Sequence, residues 1–186
     1  MGTDQPSDRP PELSLTEWTV LALLAEAPTH GFGIAKELRA GTDLGRIITV
    51  HRPLVYRALD RLVAAGLAEP HVTEPGDAGP NRTVHRATDP GCGAVEQWLD
   101  QPVAHIRDLR IEFLAKLRLN QRRARDAGRL VAAQREALAD TFDQLTGDEP
   151  ADVVDMWRRS NATAARQFLD RLAELDASPG GGPSGP

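Results

Sequence analysis

Cysteine is nearly absent from this chain: Cys92 is the only one in 186 residues. A lone thiol excludes an internal disulfide and fits a reducing, cytoplasmic setting. Long apolar runs are missing too. No stretch approaches the ~18–20 residues of a membrane span, so no membrane partner is expected. The opening MGTDQPSDRPPE has no apolar core of a secretion signal, and Pro6 stands where a myristoylation signal wants Ser or Thr. Catalytic signatures are also lacking: there is no nucleophile elbow, phosphate-binding loop or dinucleotide fingerprint. The histidines (His30, His51, His71, His85, His105) are scattered, with no pair four apart. Neither a metal site nor any other cofactor is therefore expected. Cys92, near an expected helix start, reads as a structural cysteine, with oxidant sensing as the alternative.

Positive charge is scarce overall, with a net charge of -5, which argues against a protein coated in nucleic acid. Affinity for phosphate follows the local field, however, not the total. Between Arg46 and Leu62, four basic residues (Arg46, Arg52, Arg57 and Arg61) stand against the single acid Asp60. The imbalance is local and basic.

What is present is helical punctuation. Ser14 and Glu17 have the spacing of a capping box, which predicts a helix from Leu15. Its residues Trp18, Leu21, Ala22 and Ala25 make it a central core helix ended by Pro28. A short second helix is expected over 31–40, with Ile34 and Leu38 inward and Gly41 as its stop. The third starts near Pro53, buries Val55, Ala58, Leu59 and Leu62, and stops at Gly66. Two strands follow, 67–73 and 82–87, joined by a Gly/Pro-rich tip. Thr88 or Asp89 then caps a short helix with Val95, Trp98 and Leu99. A longer helix carries Ile106, Leu109, Phe113 and Leu117, and another Val131, Leu138, Phe142 and Leu145. The last, with Val154, Trp157, Ala164, Phe168, Leu172 and Leu175, is expected after Pro150 with Asp148 as a candidate cap. Residues 1–12 and 177–186 read as disordered tails.

The fold class is therefore mainly α: a winged helix-turn-helix domain over 13–90 with a two-stranded β wing, then a C-terminal helical dimerisation arm over 91–176. Long, singly striped helices trailing a small domain bury their stripes against a second copy or fold back on the first domain.

The order of these residues resembles PadR-type transcriptional regulators. Pro28, His30, Gly31, Phe32 and Ile34 fit the step into the second helix. Tyr56, Leu59, Leu62, Gly66 and Leu67 fall on the recognition-helix signature, and Gly79, Pro80 and Arg82 on the wing. Thr88 and Gly91 match a Thr-x-x-Gly step, while Arg110, Glu112, Phe113, Lys116 and Leu117 match a Phe-x-x-Lys-Leu segment. Leu54, Thr83, Val84 and His85 depart from the common pattern. The resemblance covers roughly residues 13–120. It implies a homodimeric cytoplasmic regulator, usually a repressor, that dimerises through its C-terminal helices; some members answer to small aromatic or drug-like effectors.

The expected partners are thus double-stranded DNA and a second copy of the chain. Candidate DNA contacts are Arg57 and Arg61 on the open face of the third helix, against the alternative of an ordinary solvated face. His51 and Arg52 at its start, the Tyr56 hydroxyl, and Arg82 after the wing tip complete the set. Trp98, Phe113 and Trp157 are candidates for an effector pocket, although aromatics at helical spacing are more often core. The rival reading, motivated by the altered wing and acidic balance, is a winged helix used for protein–protein contact without DNA binding.

Overall fold

The computed structural model describes residues 12–75, 81–147 and 149–177. It divides into two compact units, one ending at Trp98 and one starting at Leu99.

In the first unit, α1 (Leu15–Glu26) opens with the expected capping box. The Glu17 amide donates to Ser14 Oγ, and the Ser14 amide donates back to Glu17 Oε2 at 2.7 Å. Val20, Leu21, Ala22 and Leu24 are buried, as a helix apolar on most sides must be when it sits in the middle of a small domain. α2 (Gly31–Glu37) is shorter than its pattern suggested, ending before Gly41. Thr42 explains the early exit: its hydroxyl bonds the Arg39 carbonyl and accepts from the Gly45 amide, offering the backbone a turn instead of a continued helix. Ile34, Leu38 and Leu44 are nevertheless fully buried.

α3 (Arg52–Ala64) buries Val55, Ala58, Leu59 and Leu62, the stripe read from spacing. Its end is a Schellman motif. Gly66 takes φ +70, its amide donates to Val63, and the Leu67 amide reaches back to Leu62. The chain leaves as β2 (Ala68–Glu74) and returns as β3 (Arg82–Ala87), antiparallel, with a register irregularity between Pro70 and Val72. One strand is added to the two expected. The two-residue β1 (Thr29–His30) pairs with β3, giving the order β1-β3-β2. Two residues are too few for a period-two pattern, so spacing carried no trace of it.

α4 (Asp89–Asp100) starts at Thr88, whose hydroxyl accepts from the Gly91 amide and donates to the Gly66 carbonyl at 2.8 Å. One side chain thus caps α4 and closes the end of α3. A Cβ on Gly91 would lie 2.0 Å from the Leu67 carbonyl oxygen, so the Thr-x-x-Gly step is a steric requirement.

In the second unit, the single helix expected around Ile106–Leu117 is broken. A 3-10 turn (Ile106–Arg110) precedes α5 (Glu112–Arg122). Both pieces still face one core with Leu109, Phe113 and Leu117 buried, so a buried stripe does not by itself guarantee a continuous helix. α6 (Gly128–Gly147) and α7 (Val153–Ala177) pack on each other. The cap of α7 is Asp152, whose Oδ1 accepts from the Val154 and Asp155 amides. Asp148, the cap anticipated, lies outside the described residues, as do the wing-tip Gly79 and Pro80 and the expected tails 1–12 and 177–186 apart from Glu12 and from Ala177, which is the last residue of α7. Among the described residues no helix is long and apolar enough to cross a membrane.

Candidate nucleic-acid interface

α3 is pinned from below by its apolar stripe, which turns Arg52, Arg57, Asp60 and Arg61 outward. Arg57 is exposed and has no side-chain ion pair among the described residues. Arg61 is exposed as well, but its Nε lies 3.1 Å from Glu17 Oε1. Glu17 is buried by its place in the capping box, so Arg61 also neutralises a buried carboxylate and ties α3 to α1. Spacing along α3 could not foresee that partner, which comes from another helix.

Tyr56 packs its ring against the start of α2: a Cβ on Gly31 would stand 2.9 Å from Cε1 of the ring. The hydroxyl end is open, and the Arg52 guanidinium donates to it at 3.4 Å. His51 is exposed at the N-cap of α3 and makes no side-chain cap bond. Arg82 opens β3, and its guanidinium carbon sits 5.6 Å above the ring of Phe32. From the other element, Arg52 lies 5.5 Å above the same ring. Phe32 is 47 % exposed on α2. Sequence reasoning used it only as part of the family resemblance. Its signal was an aromatic next to two helix-starting residues, with nothing apolar required of it.

Phe32, Arg52, Tyr56 and Arg82 line one cleft of about 490 Å³ with His30, Gly31, Asn81, Thr83 and His85; His51 lies outside it. Among the described residues no carboxylate lines it. His30 is committed on one side, because its Nδ1 accepts from the Gly33 amide at 2.8 Å and caps α2. His85 Nδ1 is buried without a partner among the described residues. The cleft thus gathers two guanidiniums, a phenol and small polar donors at the junction of α2, α3 and β3. That inventory suits an anion. Of the candidate DNA contacts, Arg52, Tyr56 and Arg82 meet here, whereas Arg57 and Arg61 stand further along α3.

The three aromatics proposed as an effector pocket have different surroundings. Trp98 is buried in the first unit, stacked on Trp18 with centroids 5.3 Å apart and planes 2° from parallel. Phe113 is wholly buried in the core of the second. Trp157 alone is exposed, and it lines an open cavity of about 810 Å³ in the second unit with His105, Ile106, Arg110 and Phe168. Among the described residues no group of His, Cys, Asp and Glu is placed to hold a metal.

A three-helix unit with a short helix leading into an outward-facing basic one, closed by a β-hairpin, defines a winged helix-turn-helix. Residues 20–97 match the profile of the transcriptional regulator PadR-like family. The match covers this winged unit alone, and there the chain is similar to a family of transcriptional regulators. Among solved structures the chain is similar to Bacillus subtilis PadR in complex with operator DNA, at 16% identity and TM-score 0.45, covering 88% of this chain and 99% of that one. It is also similar to the same protein with p-coumaric acid, at 15% identity and TM-score 0.43, covering 89% and 100%. A third likeness is to smu.1604c from Streptococcus mutans UA159, at 15% identity and TM-score 0.42, covering 85% and 98%. No curated protein matches the chain. The operator and p-coumaric acid belong to the Bacillus protein, and likenesses this distant carry no argument about ligands here.

Proposed function

We propose that the chain is a sequence-specific DNA-binding repressor that works as a homodimer on a pseudo-palindromic operator. The observation that carries this reading is the open, basic face of α3 beside an anion-suited cleft, with Arg57 exposed and unpaired among the described residues. An arginine so placed can fork onto guanine O6 and N7, while Arg52, Tyr56, His51 and Arg82 brace phosphates on either side. Two copies would set their α3 helices in successive major grooves about 34 Å apart. Support for a second copy comes from the start of α7, which leaves Val153, Val154, Met156 and Trp157 exposed, with Leu175 exposed near its far end. Apolar side chains clustered on one helix mark an association surface. An effector, if one operates, would act by preferring a subunit arrangement with the wrong groove spacing.

The test is an anisotropy titration on duplexes from the promoter of the chain's own gene, repeated across salt. A DNA-binding regulator loses affinity with a log–log slope of ~0.9 per phosphate contacted. Arg57→Ala is expected to cost ~1–3 kcal/mol on the specific duplex. Unchanged affinity removes Arg57 from the interface, and a wild-type protein indifferent to salt favours the protein–protein module instead.

A further inference from the structure

We infer that Phe32 is a positioning residue for DNA: its ring is a platform that holds Arg52 of α3 and Arg82 of β3 ready for one backbone phosphate in the cleft between them. This rests on the DNA-binding reading and names a residue and a ligand group that reading leaves unassigned. Phe32 is no core residue, since nearly half its surface is exposed. Two guanidiniums sit on its ring, Arg52 at 5.5 Å and Arg82 at 5.6 Å from one ring centroid, and the His30 ring is tilted against it at 6.1 Å. Arg52 is held a second time by the Tyr56 ring, also at 5.5 Å.

The geometry explains why an aromatic serves better than an acid. A carboxylate between two arginines would neutralise them and consume their donors. A ring takes up only the face of each guanidinium, through the electrostatic attraction of its π cloud, and leaves the N–H edges free. Those edges are what a phosphate needs, because the planar fork meets two of its oxygens at once. Holding both side chains in place beforehand also removes rotamer entropy that binding would otherwise cost. Two like charges on one ring repel each other, and an anion between them relieves that repulsion. Among the described residues the cleft lining holds no acid, and His85 Nδ1 at its wall has no partner. Room of about 490 Å³ admits a phosphate together with its sugar.

Binding to phosphate is indifferent to base sequence, so a 30-base-pair duplex of mixed sequence is a sufficient probe, titrated by anisotropy across salt with the full-length protein. Phe32→Ala is expected to weaken binding about tenfold and to flatten the salt slope by ~0.9 for each phosphate no longer neutralised. Phe32→Tyr should restore both, since it keeps the ring, and Phe32→Leu should not, since it keeps only the bulk. In an Arg52→Ala/Arg82→Ala background, Phe32→Ala should cost nothing further, because it acts through those two side chains. Circular dichroism and a thermal melt confirm that each variant is folded. An unchanged slope in folded Phe32→Ala, full recovery by Leu, or an additive loss in the double-arginine background overturns the platform while leaving DNA binding intact. A wild-type protein whose binding ignores salt overturns both readings.

Discussion

The two units place polarity in opposite ways. The first keeps its charge outside and fills its interior with close apolar packing: Leu21, Ile34, Leu38, Leu44 and Leu62 are wholly buried, and Trp18 stacks on Trp98. Its one buried carboxylate among the described residues, Glu17, is consumed by a helix cap and by Arg61. The second unit buries Lys116, Asn120 and Gln134 and exposes Val153, Trp157 and Leu175. Its interior polar groups are spent on the chain that enters it. Gln134 holds both the amide and the carbonyl of Val103, Asn120 donates to Leu99, and Lys116 donates to the Gln101 carbonyl at 2.9 Å. The last turn of α4 and the irregular residues after it leave backbone groups without helical partners, and side chains satisfy them here. On the proposed reading the contrast separates tasks, with one surface suited to an anion and the other to an apolar partner.

The sharpest way to break the first unit is steric. Gly91→Ala sets a methyl carbon 2.0 Å from the Leu67 carbonyl, and backbone cannot yield as a flexible side chain can. A loss of about 3 kcal/mol or more is expected in urea unfolding, above the usual cost of overpacking. A near-wild-type midpoint would mean that the α3–α4 junction is looser than this distance implies.

The second unit is challenged from outside. Trp157→Glu puts a charge on the exposed face of α7, where the side chain is 69 % exposed and contributes little to the fold. If that face pairs two copies, the dimer weakens by about 2 kcal/mol or more, as for an aromatic anchor, and light scattering shows monomer. A variant that stays dimeric moves the interface elsewhere.

The smallest effect probes the inverted core. Burial holds the Lys116 ammonium below its ordinary value of 10.5, although Glu112, 2.8 Å away, pulls the other way. The folded state then releases its proton before the unfolded chain does. Between the lowered value and 10.5 the unfolded state binds more protons, so stability contributed by this site rises with pH across that window. Lys116→Met should remove that rise, and near neutrality it should fall below wild type because Glu112 and the Gln101 carbonyl lose their partner. Parallel pH–stability curves for the two proteins would refute the assignment.

Much of this was legible beforehand for physical reasons. The capping box at Ser14, the stripe of α3, Gly66 as its stop and Thr88 as the next cap are local rules, each satisfied within a few residues. The outward turn of Arg57 followed from the same stripe. Pairings between distant segments were not legible: β1 against β3, Glu17 against Arg61, and Phe32 under two arginines. The broken helix before α5 escaped for a related reason, because the apolar period runs on through the 3-10 turn.

Periodicity, caps and stops decided from the chain alone that a basic helix would stand between a buried three-helix core and a β-hairpin, since each depends on neighbours a turn or two away. Only the folded chain decided which arginines share a ring, which one answers a carboxylate, and which aromatics stay outside. Those outcomes depend on segments that meet in space, and nothing in their separate sequences records the meeting.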